Sequence, residues 1–143
     1  MRVSAKAEYA CVAVLELAAH HGSPLPLSVK AIAEHHDIPQ RYLVQILLQL
    51  KGAGYVASTR GTSGGYQLVV APEEICLADV MTAIDGPLPA KYQPASAKNS
   101  PATQAIASVW NEVLDAERDA LQDVTFAELV KRMRKSVENM YYI

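Results

Sequence analysis

Two short β-prone runs, Tyr55–Thr59 and Tyr66–Val70, are separated by the turn-rich stretch RGTSGG. Six such residues are too many for a two-residue hairpin, so the pattern predicts a hairpin with an open, arginine-bearing tip. What constrains the fold is its position, directly after two helical patterns joined by a tight turn. Helix, turn, helix and then a hairpin tipped with Arg and Gly is the order of a winged helix–turn–helix. The expected fold class is therefore mainly α, with a small β-hairpin wing.

Upstream of the hairpin, residues 4–21 form a helix by pattern. Val3, Ala7, Ala10, Cys11, Val14, Leu15 and Ala18 recur at three- and four-residue spacing until Gly22, Ser23 and Pro24 end the run. Ser28 offers an N-cap for VKAIAEHH, whose Ile32 and Ala33 face inward. Asp37 and Ile38 make the turn. Pro39 then opens the second helix, in a first turn where a missing N–H costs nothing. Leu43, Ile46, Leu47 and Leu50 give that helix its apolar stripe; Gln40, Arg41, Gln45 and Gln49 occupy the other face, and Gly52–Gly54 stops it near Lys51.

Downstream, Pro72 ends the second strand and Ile75–Ile84 reads as a short amphipathic helix. The stretch Gly86–Pro101 contains four prolines among small polar residues and reads as an exposed loop. From Ala102 to about Asp123 comes the longest helix, about 33 Å at 1.5 Å per residue. Its stripe of Ile106, Val109, Val113, Leu114, Ala120 and Leu121, flanked by Trp110, is longer than a small domain needs to cover itself. Ile106, Val109, Trp110, Val113, Leu114 and Leu121 are accordingly expected at a dimer interface. Thr125 caps a final helix, FAELVKRMRKSVEN. The expected organisation is a winged domain over 1–85, an exposed loop over 86–101 and dimerisation helices over 102–143.

The net charge of −2 argues at first against a nucleic-acid partner. Its distribution is uneven: residues 1–70 sum to +2 and residues 71–143 to −4. A mildly basic half joined to an acidic one suits a DNA module carrying a regulatory or dimerisation module. The opening apolar residues are interrupted by Lys6, Glu8 and Glu16, so no signal-peptide core forms, and no apolar run approaches membrane-spanning length. Two cysteines, Cys11 and Cys76, fit a reducing compartment, and a cytoplasmic location is expected.

The exposed face of the second helix carries the chemistry of base recognition. Gln pairs with adenine N6 and N7, Arg with guanine O6 and N7, and both also bind phosphate. Double-stranded DNA is the expected partner of Pro39, Gln40, Arg41, Tyr42 and Gln45, with Ser28 at the start of the preceding helix. In the wing, Arg60, Gly61, Gly64, Gly65 and Tyr66 are the candidates, because small residues let backbone approach phosphates and an Arg enters a narrow minor groove. The stretch lacks the Gly-Lys-Ser/Thr ending of a nucleotide-phosphate loop. His20, His21, His35 and His36 form two adjacent pairs at helix C-termini. Neighbouring helical side chains diverge, so no metal ligand set is expected from them. No paired carboxylates or nucleophile–base motif points to an enzyme.

The segments MRVSAKAEYACVAVLELA, IPQRYLVQILLQLKGAGYV, RGTSGGYQL and APEEICLADVMTAIDG resemble the Rrf2 family of bacterial transcription regulators, most specifically over residues 1–86. The resemblance implies a homodimer that binds palindromic operators, usually as a repressor, with the helix from Pro39 in the major groove, Arg60 in the wing and the helix from Ala102 crossing its counterpart. Many members hold an iron–sulfur cluster on three cysteines between the fourth helix and the dimer helix. Here Gly86–Pro101 contains no cysteine, so no cofactor is expected. Cys76 precedes that loop, and Glu8, where some relatives supply a non-cysteine ligand, has no partners to complete a set. Any effector would then be a small molecule or a partner protein. The alternative is a winged-helix protein-interaction adaptor that has lost DNA binding, which the acidic net charge favours.

Overall fold

The computed structural model describes residues 1–141. Helix α1 (Ala5–Ala19) begins where the Ser4 Oγ accepts the Ala7 N–H at 3.0 Å. It buries Ala7, Ala10, Ala13, Val14, Leu17 and Ala18, and the four alanines let its neighbours approach closely. Helix α2 (Val29–His36) is capped by the Ser28 Oγ, which accepts the Ala31 N–H at 3.1 Å. Asp37 closes it in the left-handed region (φ 53°, ψ 44°), a conformation Asp tolerates better than most residues. Ile38 drops into the core at the turn.

Helix α3 (Gln40–Gly52) buries Leu43, Ile46, Leu47 and Leu50, the stripe read from the sequence. Pro39 departs from expectation: with ψ 122° it is the N-cap rather than the first helical residue. Its carbonyl nevertheless accepts the first helical bond, from the Leu43 N–H at 3.1 Å. The hairpin strands β1 (Val56–Thr59) and β2 (Gly65–Leu68) pair antiparallel, with Val56 opposite Leu68 and Thr59 opposite Gly65. They are shorter than the β-prone runs, although the Val69 N–H still reaches the Tyr55 carbonyl at 3.0 Å.

After β2 comes a 3-10 turn, Pro72–Glu74, which the sequence pattern did not distinguish from a strand end. Helix α4 (Leu77–Asp85) starts at Cys76, whose N–H donates to the Asp79 carboxylate at 3.0 Å. Helix α5 (Pro101–Asp123) is capped by Ser100 with proline in its first turn, and α6 (Phe126–Tyr141) by Thr125.

The chain folds around one main core drawn from α1, α2, α3, the hairpin, Ile75 and α4. Phe126 and Val130 of α6 belong to that same core, and Phe126 is fully buried. Within the range 102–143 expected for dimerisation helices, α6 is thus tied at its start to the winged body. Backbone pairing enforces this, because Leu77 N–H donates to the Val124 carbonyl at 3.0 Å and Phe126 N–H to the Ile75 carbonyl at 2.9 Å. Among the described residues, no helix is long and apolar enough to cross a membrane.

Candidate nucleic-acid interface

The apolar stripe of α3 turns Gln40, Arg41, Tyr42 and Gln45 outward, and all four are exposed along with Pro39. Gln49, further along that face, is instead half-buried, and its amide donates to the Ile84 carbonyl at 3.5 Å. Tyr42 and Gln45 share a groove with Ala5, Lys6 and Tyr9 of α1. Those α1 residues extend the exposed surface of α3, and sequence reasoning missed them. The available clue was the polar Lys6 and Tyr9 beside an otherwise small-residue helix face.

The wing is held to the helix–turn–helix by main-chain pairing. Leu27 N–H donates to the Tyr66 carbonyl at 3.0 Å, and Tyr66 N–H donates back to the Leu27 carbonyl at 2.8 Å. Gln67 adds a side-chain bond to the Ser23 carbonyl at 2.9 Å, and Lys51 at the end of α3 donates to the Ser58 Oγ of β1 at 2.7 Å. The hairpin is thus fixed relative to both helices. At its tip, the Gly64 N–H donates to the Gly61 carbonyl at 3.0 Å.

Gly64 and Gly65 have a structural reason of their own. A Cβ on Gly64 would collide with the Thr59 carbonyl, and one on Gly65 with the Leu27 carbonyl and the Ser28 nitrogen. Both glycines, and the half-buried Tyr66, therefore build the wing, whereas Arg60 and Gly61 lie exposed. Ser28, also exposed, spends its hydroxyl on capping α2. Among the described residues neither Arg41 nor Arg60 forms an ion pair.

The six α5 residues expected at an interface divide. Ile106, Val109, Trp110 and Val113 are 41–56% exposed and form an apolar strip whose only aromatic neighbour among the described residues is Tyr92, 6.4 Å from Trp110 between ring centroids. Leu114 is half-buried. Leu121 is a correction: only 7% exposed, it packs on Ala78 and Met81 of its own chain. The cause is the pairing of 75–77 with 124–126, which draws the C-terminal end of α5 onto α4. The loop 86–101 runs back along α5, where Arg118 donates to the Pro89 and Ala90 carbonyls at 2.7 and 3.2 Å and Asn111 accepts the Tyr92 N–H at 2.8 Å.

The histidines also depart from expectation. His35 and His36 do not diverge: their rings stack with centroids 4.5 Å apart, and both face Glu16 of α1. The pairing of α1 with α2 that aims Glu16 at them has no signature in residue spacing.

A left-handed turn between α2 and α3, with an anchored hairpin behind them, defines a winged helix–turn–helix protein. The chain belongs to the Rrf2 family, whose model, described as an iron-dependent transcriptional regulator, matches residues 3–132. The chain is 32% identical to the regulator CymR of Bacillus subtilis strain 168, over 100% of both chains. It is 35% identical to the regulator IscR of Erwinia tasmaniensis, covering 91% of this chain and 79% of that one. The solved structure of CymR (YrzC), the global cysteine regulator of B. subtilis, superposes with a TM-score of 0.80 at 30% identity, covering 92% of this chain and 98% of that one. These relatives and fold neighbours are transcriptional regulators and not enzymes.

The family's description implies iron, and the thiols present do not fit a thiolate-held cluster. Burial, reinforced by the nearby Glu8 carboxylate, pushes the Cys11 thiol up to about 11, so it stays protonated at neutral pH. Cys76 is likewise raised by burial, and its Sγ–H donates to the Asp79 carboxylate at 3.2 Å within the α4 cap. The loop 86–101 contains no cysteine.

Proposed function

We propose that the protein is a sequence-specific DNA-binding transcription regulator that acts as a homodimer on a palindromic operator, in most settings as a repressor. The observation that carries this reading is the hairpin locked to the helix–turn–helix by the Leu27–Tyr66 pair, beside an α3 face that exposes Gln40, Arg41, Tyr42 and Gln45. In this reading α3 enters the major groove, where Arg41 and Gln45 have the donor patterns that guanine and adenine accept. Arg60, exposed and without an ion pair among the described residues, follows the backbone or the adjacent minor groove. Lys6 and Tyr9 flank α3 and suit phosphate and sugar.

Dimerisation follows from α5. Ile106, Val109, Trp110 and Val113 form a strip that a second copy would cover, with the two α5 helices crossing. A two-fold dimer places two α3 helices on two half-sites, which is why the operator is expected to be a palindrome. With no iron–sulfur cluster in this reading, the effector would be a small molecule or a partner protein. Like its relatives' role in transcription, the reading places the protein in the cytoplasm with the chromosome.

The test is a fluorescence-anisotropy titration of the purified protein against DNA from upstream of its own gene, across a range of salt. Arg60→Ala is expected to weaken binding and to lower the salt slope by about 0.9 per lost phosphate contact, twice that for a dimer. Unchanged affinity and slope would remove the wing from the interface. Failure of the unaltered protein to bind would favour an interaction adaptor.

A further inference from the structure

We propose that Glu16, His35 and His36 form a binding site for one divalent first-row transition-metal ion, which ties α2 to α1 just ahead of the turn into α3. His35 Nδ1 lies 3.0 Å from Glu16 Oε1, and His36 Nε2 lies 3.6 Å from Glu16 Oε2. One ligand atom from each of the three residues falls within 4.8 Å of the others. Tetrahedral ligands on bonds of about 2.0–2.1 Å sit about 3.3 Å apart. The two observed separations, each to a different oxygen of the one carboxylate, lie close to that edge, and side-chain rotation at Glu16 and the exposed His35 would bring one atom of each residue onto a single ion.

Hydrogen bonding alone explains one histidine and not the other. His35 is within bonding reach of the carboxylate, but His36 Nε2 is sealed from solvent and, at 3.6 Å from Glu16 Oε2, has no hydrogen-bond partner among the described residues. A buried polar atom without a partner calls for an explanation, an ion among them. A metal would take the Nε2 lone pair. The carboxylate is well placed to be shared, since the Glu16 side chain is only 13% exposed and both of its oxygens face the histidines. His20 is committed elsewhere, with its Nδ1 2.9 Å from the Glu16 main-chain carbonyl.

The donor set selects the kind of ion. Two imidazoles and a carboxylate suit Zn²⁺, Co²⁺, Ni²⁺, Cu²⁺ or Fe²⁺, while Mg²⁺ and Ca²⁺ prefer all-oxygen sites. The remaining coordination position falls to water, because His35 opens the site to solvent on one side. The site shares no residue with the expected DNA-binding face and uses no thiolate. Its leverage comes from placement: His36 is the last residue of α2, and Asp37 begins the turn into α3.

The test uses the full chain with any affinity tag removed, stripped with chelator and titrated with Co²⁺ followed by Zn²⁺. One Co²⁺ per protomer is expected, with visible ligand-field absorption distinct from aqueous Co²⁺ that Zn²⁺ abolishes. Zn²⁺ should also raise the melting temperature, by roughly 5 °C at large excess over its dissociation constant, and Mg²⁺ should not. His35→Gln, at an exposed position, and Glu16→Gln should each lower Co²⁺ affinity at least about tenfold, the lower end of what loss of a merely supporting residue costs. Circular dichroism checks that both variants keep their helices. His20→Gln, the control, should bind as the unaltered chain does. Absence of saturable Co²⁺ uptake, its persistence in both His35→Gln and Glu16→Gln, or its loss in His20→Gln would each overturn the proposal.

Discussion

Helices α1 and α5 show opposite relations to the core. The first has 15 residues and buries six of them; the second has 23 and buries one, Leu121. Helix α1 is lined with alanine, so α3, α4 and α6 can close around it on several sides. The apolar residues of α5 are larger, and although the loop 86–101 runs along the helix, Ile106, Val109, Trp110 and Val113 keep 41–56% of their surface exposed. A helix wrapped by its own chain serves as a scaffold. One that leaves Trp110 and three aliphatic residues exposed offers a partner an apolar surface, which is the physical support for the proposed second copy.

The sharpest way to break this contrast is at the anchor between the two. If α6 belongs to the body and not to a separate dimer module, Phe126→Ala should destabilise the fold by about 3–5 kcal/mol in chemical denaturation, as for other fully buried aromatics. A loss under about 1 kcal/mol would return α6 to the interface. On α5 the expectation is reversed. The double substitution Val109→Glu with Trp110→Glu should convert dimer to monomer in analytical ultracentrifugation while the helical signal stays unchanged. A dimer that survives it would move the interface off this strip.

Smaller effects probe the wing. Gly65→Ala should cost about 1–3 kcal/mol and speed amide exchange at Tyr66, because the added methyl displaces the Leu27 backbone that pairs with it. Ser28→Ala should cost about 1 kcal/mol through loss of the α2 cap, measured by thermal melting. Values near zero at both positions would mean that the hairpin and α2 are held by contacts other than those described.

Local chemistry was the part readable from residue order. Ser28 as a cap, Leu43 to Leu50 as a buried stripe and RGTSGG as a hairpin tip are each decided by neighbours within a few residues. The long-range outcomes were not readable. Leu121 falls on the same helical stripe as Val113, and periodicity cannot separate them; only the backbone pairing of 75–77 with 124–126 pulls one of them inward. Phe126 looked like the start of an accessory helix because nothing local ties it to α1. Lys6 and Tyr9 join α3, and Glu16 meets His35 and His36, through helix packing that spacing along the chain does not encode. Residue order presents the wing glycines as open toward a partner, yet the collisions that a Cβ on Gly64 or Gly65 would meet come from the chain itself.

In the proposed complex two winged domains, joined through α5, read two-fold-related DNA half-sites. Hydroxyl-radical footprinting of the purified protein on the DNA upstream of its gene tests it most directly. A two-fold symmetric footprint is expected, with half-sites spaced by about one helical turn, 10–10.5 base pairs, or a multiple of it, and lost in the Val109→Glu, Trp110→Glu protein. A single asymmetric half-site, or a symmetric footprint retained by that doubly substituted protein, would contradict it.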